Sequence, residues 1–339
     1  MAATIKDISA KANVSIATVS KVLNGDYSKV SVKTKERILK IADELDYRPN
    51  MLARGLASQK FSMVGVIIPD ISNPYYGEMV RGMIDEATLY DFRVMISNTD
   101  NLHQRQLSAI QTMAEYNAAG IVLVGGGENI DSILEMIKRI RIPYVLTEIH
   151  GNNIDYSVYV DDFGGSYNAT THFIASGHKN IAYISGFPSP NHPNDQRGLG
   201  YTAALEKHQI AVSPFLFESG SFTFEAGYKA TIRLLNRNMP FTAILCGNDL
   251  IAMGALKAIK EHHLKVPDDI SLIGFDDVYL STIVEPNLTS VHQPAYEIGM
   301  SSIQMLMSRI EKKPLKEKSK CFKPILIQRD TVVPPKNNG

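Results

Sequence analysis

"NVSIATVSKVLNG", residues 13–25, decides how this chain is read. Ser15 is placed to cap a helix, and Val19, Val22 and Leu23 then fall on one apolar stripe. The opposite face holds Ala17, Thr18, Ser20, Lys21 and Asn24, small groups with a single cation. A solvated helix normally carries paired Glu and Lys there. A face kept small and nearly uncharged suits a helix that lies flush against another surface.

Upstream, "TIKDISAKA" opens with Thr4 as N-cap and Asp7 three residues on, the pattern of a capping box. Only a tight turn at Asn13 separates this helix from the next, and Val14 and Val19 are spaced as a hydrophobic staple. Downstream, "SVKTKERILKIADELDY" starts at Ser31 and repeats Ile38, Ile41, Ala42 and Leu45 at helical spacing. Two helices on a short turn, with a third closing a small core, make a helix-turn-helix. An ordinary helical hairpin shares that pattern, and charge separates the two. Residues 1–60 hold eleven Lys and Arg against six Asp and Glu, while the remainder holds twenty-four against twenty-nine. The net charge of zero therefore hides a basic head and a mildly acidic body, and the head is the part suited to a polyanion.

In "YRPNMLARGLAS" (47–58), Pro49 ends the third helix and Asn50 can cap a new one running to Ala57. At roughly eight residues, with Gly55 inside it, that segment is shorter than the ~12–15 residues a helix needs to hold by itself. Beyond it, apolar strand-like runs alternate with amphipathic helices: "MVGVIIPD", 74–90, "RVMISNT", 102–117, "GIVLVG", 129–139 and "PYVLTEI". A second series runs through "NIAYISGF", "AILCGND" and "ISLIGFDD". Such alternation predicts parallel sheets covered on both faces, and two series predict two doubly wound lobes. Ligands bind at the carboxyl edges of such sheets.

Composition narrows the function. The chain is 339 residues long and 44% hydrophobic, enough for two or three domains. No apolar run approaches a membrane span, and "MAATIKDISAKA" has no apolar core of a secretion signal. Two cysteines make no disulfide framework, so a reducing cytoplasm is expected. Catalysis finds no support. "VGGGEN" lacks the spacing of a phosphate or dinucleotide loop. The pairs His262–His263 and His172…His178 match no metal signature and are expected at helix ends or on the surface. No cofactor is expected. Gly177 in "ASGHKNI" is expected to stop a helix before a strand.

"TIKDIS…ANVSIATVSKVLNG…VSVKTKERI…LDYRPNMLARGLAS" resembles the head of the LacI/GalR family of bacterial transcriptional regulators, and the resemblance continues through the body. The chain is most similar to the catabolite-control and sugar-operon members. The resemblance implies a helix-turn-helix domain over 1–48, a hinge helix and linker over 49–60, and a two-lobed effector-binding and dimerisation domain over 61–339. That body is periplasmic-binding-protein-like. It also implies that bases are read by Ile16, Ala17 and Lys21. The first two offer only apolar contact of the kind a thymine methyl accepts, and Lys21 can donate to guanine O6 and N7. Thr4, Ser15, Thr18, Ser20 and Asn24 complete the expected DNA face. In the hinge, with Asn50 and Ala53, Leu56 is expected to wedge into the minor groove.

In the body, strand ends carry polar groups suited to a polyhydroxylated ligand. Tyr75 and Phe163 are placed to supply an apolar face for its ring, and the resemblance assigns effector contacts to Arg197, Asn248 and Asp276, and beside them Asn73, Glu148 and Asp161. Each acidic or amide residue has a plainer role open to it, as the N-cap of the helix that follows. The expected partners are operator DNA, a second copy of the chain and a small carbohydrate or sugar phosphate. One branch of the family takes a phosphorylated carrier protein instead, with an Arg in a "Y-D-I-G" helix. This chain has "YEIGMSSIQ" (296–304), with Gln304 in that place, which favours the small molecule. A periplasmic sugar-binding protein would explain the lobes alone, and an enzyme would need an acid–base or nucleophile constellation that the chain does not show.

Overall fold

The computed structural model describes residues 3–23, 25–47, 63–125, 130–149, 155–190, 192, 194–237 and 239–336. Asn24 and the expected hinge with Asn50, Ala53 and Leu56 lie outside the described residues. The chain divides into two compact units, Met1–Phe61 and Ser62–Gly339.

The first unit holds α1 (Ile5–Ala12), α2 (Ile16–Leu23) and α3 (Val32–Glu44). Asn13 adopts a left-handed φ of 48° and turns the chain from α1 into α2. The Ser9 hydroxyl fixes that turn by donating to the Val14 carbonyl at 2.6 Å. Ile8, Ala12, Val19, Val22, Ile38 and Ala42 form its core, with Val14 and Leu45 packed at the margin.

The second unit contains two six-stranded sheets. The first lobe is built on β1 (Met63–Ile68), β2 (Arg93–Asn98), β3 (Gly120–Val124), β4 (Tyr144–Thr147), β5 (Ser157–Val160) and β11 (Ser319–Phe322), in the order β11-β5-β4-β3-β1-β2, all parallel. The second lobe is built on β6 (Ile181–Ile184), β7 (Phe217–Glu218), β8 (Ala243–Cys246), β9 (Ser271–Asp276), β10 (Ser290–His292) and β12 (Ile325–Ile327), in the order β12-β10-β9-β8-β6-β7. In it only β12 runs antiparallel.

Strand alternation sends β1 side chains to two different cores. Val64, Val66 and Ile68 pack under α4 (Pro74–Leu89) and α11 (Ala295–Ile310). Ile67 packs on the other face under α5 (His103–Glu115) and α6 (Ile130–Ile140). The second sheet is covered by α9 (Phe224–Asn236) and α10 (Asp249–Glu261) on one side, and by α7 (Asp162–Ala175) and α8 (Gln196–Lys207) on the other. Glycine sets one crossing: a Cβ at Gly82 or Gly299 would overlap Tyr296 O or Met79 O, so α4 and α11 meet backbone to backbone.

Within the described residues the expected strands and helices are present, and the topology adds what the two-series reading did not contain. Helix α11 and strand β11, late in the sequence, return to the first lobe, so the chain crosses between lobes more than once. Gly177 ends α7 with a φ of 99°. His178 stands just past that helix end, one of its two expected places, but at 1% exposed it is not on the surface. Its ring nitrogens lie 2.8 Å from Thr242 Oγ1 and 2.9 Å from the Val333 carbonyl, which ties down the C-terminal segment.

Candidate functional site

Two places gather the residues singled out above. The first is the outer face of α2. Burying Val19 and Val22 turns Ser15, Ile16, Ala17 and Lys21 outward and leaves Thr18 and Ser20 half-buried. Ile16 is 46% exposed, so it is not a core residue of the head. The Ser15 hydroxyl accepts the Thr18 N–H at 3.1 Å, capping the helix, and lies 2.9 Å from the Thr18 hydroxyl. Lys21 Nζ stands 3.9 Å from Asp26, both about half exposed, a pair weak enough to exchange for a better acceptor. At the start of α1 the Thr4 N–H and hydroxyl both donate to Asp7, at 2.8 and 2.7 Å. Those bonds hold the Asp7 carboxyl below its ordinary range.

The second place is the cleft between the lobes, centred on Arg197 in the first turn of α8. Its Nε donates to Asp162 at 2.9 Å and its Nη1 donates to the Gly247 carbonyl at 2.5 Å. Asp276 Oδ1 lies 3.5 Å from the same nitrogen, and the guanidinium sits 3.7 Å from the Phe275 ring centroid. Burial alone would lower the pKa of Arg197, but Asp162 and Asp276 outweigh it and hold the guanidinium charged. Asp276 is nearly dehydrated, and burial raises its carboxyl well above the usual range against the pull of Arg197. Gln293 donates to Asp276 at 2.6 Å and accepts from the Tyr75 hydroxyl at 3.4 Å, linking the second lobe to α4 of the first.

Glu148 enters from the first lobe at the end of β4. Burial, then the nearby Asp162 charge, pushes its carboxyl up to about 8. The Tyr75 hydroxyl bonds one side of it, while Oε1 is buried without a hydrogen-bond partner. Glu148 and Asp276 both carry left-handed backbone, with φ of 57° and 105°. Such conformations are uncommon for these residues and concentrate where a side chain must be aimed.

The structure thus brings Tyr75, Glu148, Arg197 and Asp276 together. Asn73, Asp161 and Asn248 fill the plainer role: they cap α4, α7 and α10 by accepting from Tyr75, Gly164 and Ile251 N–H groups. Asn248 also donates to the Phe222 carbonyl at 3.4 Å, beside the Arg197 group. Asp276 caps no helix, since its strand continues into a turn. Asp162, not Asp161, meets Arg197. Phe163 is 41% exposed and stacks on Tyr167, one turn along its own helix. Sequence reasoning passed over Asp162, Gln293, Phe275 and Phe222. The signal for Asp162 lay in "VDDF", where one carboxylate suffices for the cap and the next can meet a different partner. Gln293 follows the end of β10, the same edge rule that singled out Asp276. Among the described residues no cluster of His, Cys, Asp and Glu fits a metal ion, and no helix is long and apolar enough to cross a membrane.

A helix with a bare outer face in a basic three-helix unit, together with two doubly wound lobes closing on buried polar groups, defines a ligand-responsive DNA-binding protein. Residues 4–50 match the bacterial regulatory proteins of the lacI family, and residues 170–332 match the periplasmic binding protein-like domain. The chain is 38% identical to catabolite control protein A of Priestia megaterium over 92% of this chain and 94% of that one. The fold superposes on the lac repressor dimer bound to operator and the anti-inducer ONPF with a TM-score of 0.86, at 25% identity, over 98% of this chain and 100% of that one. It superposes on a CelR–cellobiose complex with a TM-score of 0.74, at 25% identity, over 97% and 100%. The chain belongs to the lacI family of bacterial regulatory proteins, which are DNA-binding transcriptional regulators and not enzymes.

Proposed function

We propose that this protein is a cytoplasmic repressor of carbohydrate-utilisation genes, released from or fixed to its operator by a small carbohydrate held between the lobes. The observation that carries the reading is the Arg197 group: a buried cation shared by Asp162 and Asp276, with the unpartnered Oε1 of Glu148 across the cleft. Planar charged groups arranged this way suit vicinal hydroxyls, each both donor and acceptor. Arg197, Asp276, Glu148 and Tyr75 contact the ligand, while Asn73, Asp161 and Asn248 hold the helices that frame it. Ser15, Ile16, Ala17, Thr18, Ser20 and Lys21 meet the major groove, with Thr4 at the neighbouring backbone and residues 49–60 as the hinge.

The protein acts as a homodimer on a roughly palindromic operator, since two heads meet two half-sites. Exposed Leu89 of α4 and Ile96 of edge strand β2 give the first lobe an apolar margin for a second copy. A phosphorylated carrier protein is disfavoured, because Gln304 is exposed and uncharged where that partner needs a cation. The test is operator binding with and without a panel of sugars. Arg197→Ala and Asp276→Asn should keep operator affinity and lose the ligand response, each costing about 1.5–3 kcal/mol of ligand binding. Unchanged ligand affinity in both variants places the pocket elsewhere.

A further inference from the structure

The cleft has an electrostatic sign as well as a shape. Three carboxylates, Glu148, Asp162 and Asp276, face one guanidinium, and two of them already share it. Beyond those two carboxylates, Nη1 also serves the Gly247 carbonyl, and one face of the guanidinium rests on Phe275. Tyr75 and Tyr76, the titratable groups of α4 that feel the cluster, are neutral phenols held protonated by burial and by these carboxylates. The groups that raise Glu148 are carboxylates and loss of water, and Arg197 only partly opposes them.

Phosphates and carboxylates are usually received by an open helix N-terminus or by an unpaired Arg or Lys. The helices that carry or follow these cleft residues are closed in this respect. Asn73 caps α4, Asp161 caps α7, Asp195 caps α8 and Asn248 caps α10, each accepting a backbone N–H that an anion would otherwise take. Two of those caps are themselves carboxylates. Against this, Glu148 Oε1 is a buried acceptor with no partner, so what the cleft calls for is a donor.

We infer that the effector is an unphosphorylated, non-acidic polyhydroxylated molecule that places a hydroxyl or amine donor on Glu148 Oε1, and that the cleft rejects sugar phosphates and sugar acids. This rests on the proposed effector role of the cleft and narrows the ligand class within it. A phosphate bound here would bring negative charge into surroundings that already disfavour it on Glu148 and Asp276, beside a guanidinium that Asp162 and Asp276 already share, and there repulsion is poorly screened. A hydroxyl gains the missing bond to Glu148, and an amine takes up the proton that burial keeps on that carboxyl and so forms a charge-assisted bond with it.

The experiment is operator release, read beside calorimetry, using one matched triplet and three matched pairs: glucose, glucosamine and glucose 6-phosphate; ribose and ribose 5-phosphate; cellobiose and cellobionate; galactose and galacturonate. Inorganic phosphate against chloride at equal ionic strength serves as the bare anion. The expected result is action by one or more neutral or amine-bearing members, with the phosphorylated or acidic counterpart at least ten-fold weaker and phosphate inert. Glu148→Gln should weaken an amine ligand by about ten-fold or more, the loss of a charge-assisted bond, and a hydroxyl ligand by less. A phosphorylated or acidic member that binds as well as its parent, or phosphate-specific binding lost in Arg197→Ala, overturns the inference while leaving the cleft an effector site. A panel in which no form acts removes the effector reading itself, and the inference with it.

Discussion

The cleft and the outer face of α2 solve opposite problems. In the cleft nearly every polar group is already bonded to another: Arg197 to Asp162 and Gly247, Asp276 to Gln293, Gln293 to Tyr75. A ligand entering there must replace bonds, so it is selected by how well it matches a pre-existing network. The α2 face has almost nothing to replace. Ile16 and Ala17 have no polar side-chain atoms, and Lys21 holds only an exposed partner at 3.9 Å. Contact with such a face is nearly all gain, and discrimination comes from shape and from one or two added hydrogen bonds. Saturation gives chemical selectivity to a small ligand, and bareness gives close approach to a large one.

The sharpest way to break this comparison is at Asp249, a further buried carboxylate beside the cleft. It accepts from the Val278 N–H at 2.9 Å, the Ser281 hydroxyl at 2.8 Å and the Ser290 hydroxyl at 2.6 Å. Its bonds are all internal, so it is part of the frame. Asp249→Ala strands three buried donors and should lower stability by about 3–5 kcal/mol in chemical denaturation. If Asp249→Ala unfolds no more easily than Asp276→Asn, the distinction between frame and ligand carboxylates fails.

Glu148 sharpens the same contrast through pH. Its carboxyl is raised from 4.5 to about 8, so between those values the folded chain keeps a proton that the unfolded chain has released. That contribution to stability is whole below pH 4.5 and is lost as pH rises toward 8, with a limiting slope of about 1.4 kcal/mol per pH unit. Glu148→Gln should flatten this part of the stability profile. An identical slope in wild type and variant assigns the proton uptake to another group.

These two regions were unequally legible in the sequence. The head could be read because each of its signals is local: Thr4 with Asp7, Ser15 with Thr18, and the spacing of Ile38 and Ala42 all act within one or two turns. The long central strands were legible for a similar reason, since β1, β3 and the centre of β9 are continuous apolar runs. Short edge strands were not. The sequence of β11, "SKCF", is largely exposed and carries no burial pattern, and it pairs with β5 far upstream. The cleft was half legible. Strand ends announced Glu148 and Asp276, but choosing between Asp161 and Asp162 depends on which carboxylate the cap consumes. Gln293 becomes a bridge only because the chain crosses between lobes beside it, and no periodicity reports that.

On the α2 face, Lys21→Ala tests whether the single cation reads a base. If it donates to a guanine, the variant should lose about 1–3 kcal/mol for operators carrying that base and little for operators changed there. Equal loss on every sequence, with a shallower salt dependence, makes Lys21 a phosphate contact.

The smallest effect is expected at Ser15, where capping and DNA contact fall on one side chain. Its hydroxyl accepts the Thr18 N–H, so Ser15→Ala should destabilise α2 by about 1 kcal/mol. Amide exchange should quicken within residues 5–45 and stay unchanged in the two-lobed unit, whose core shares no residue with the head's. Ser15→Asp keeps the cap, and its charge favours the positive end of the helix, so head stability should return. The same charge faces the DNA backbone if α2 lies in the groove, so operator affinity should fall below that of Ser15→Ala even as the head is restored. Recovery of both together would mean that Ser15 only caps, and that the bare face of α2 begins one residue later, at Ile16.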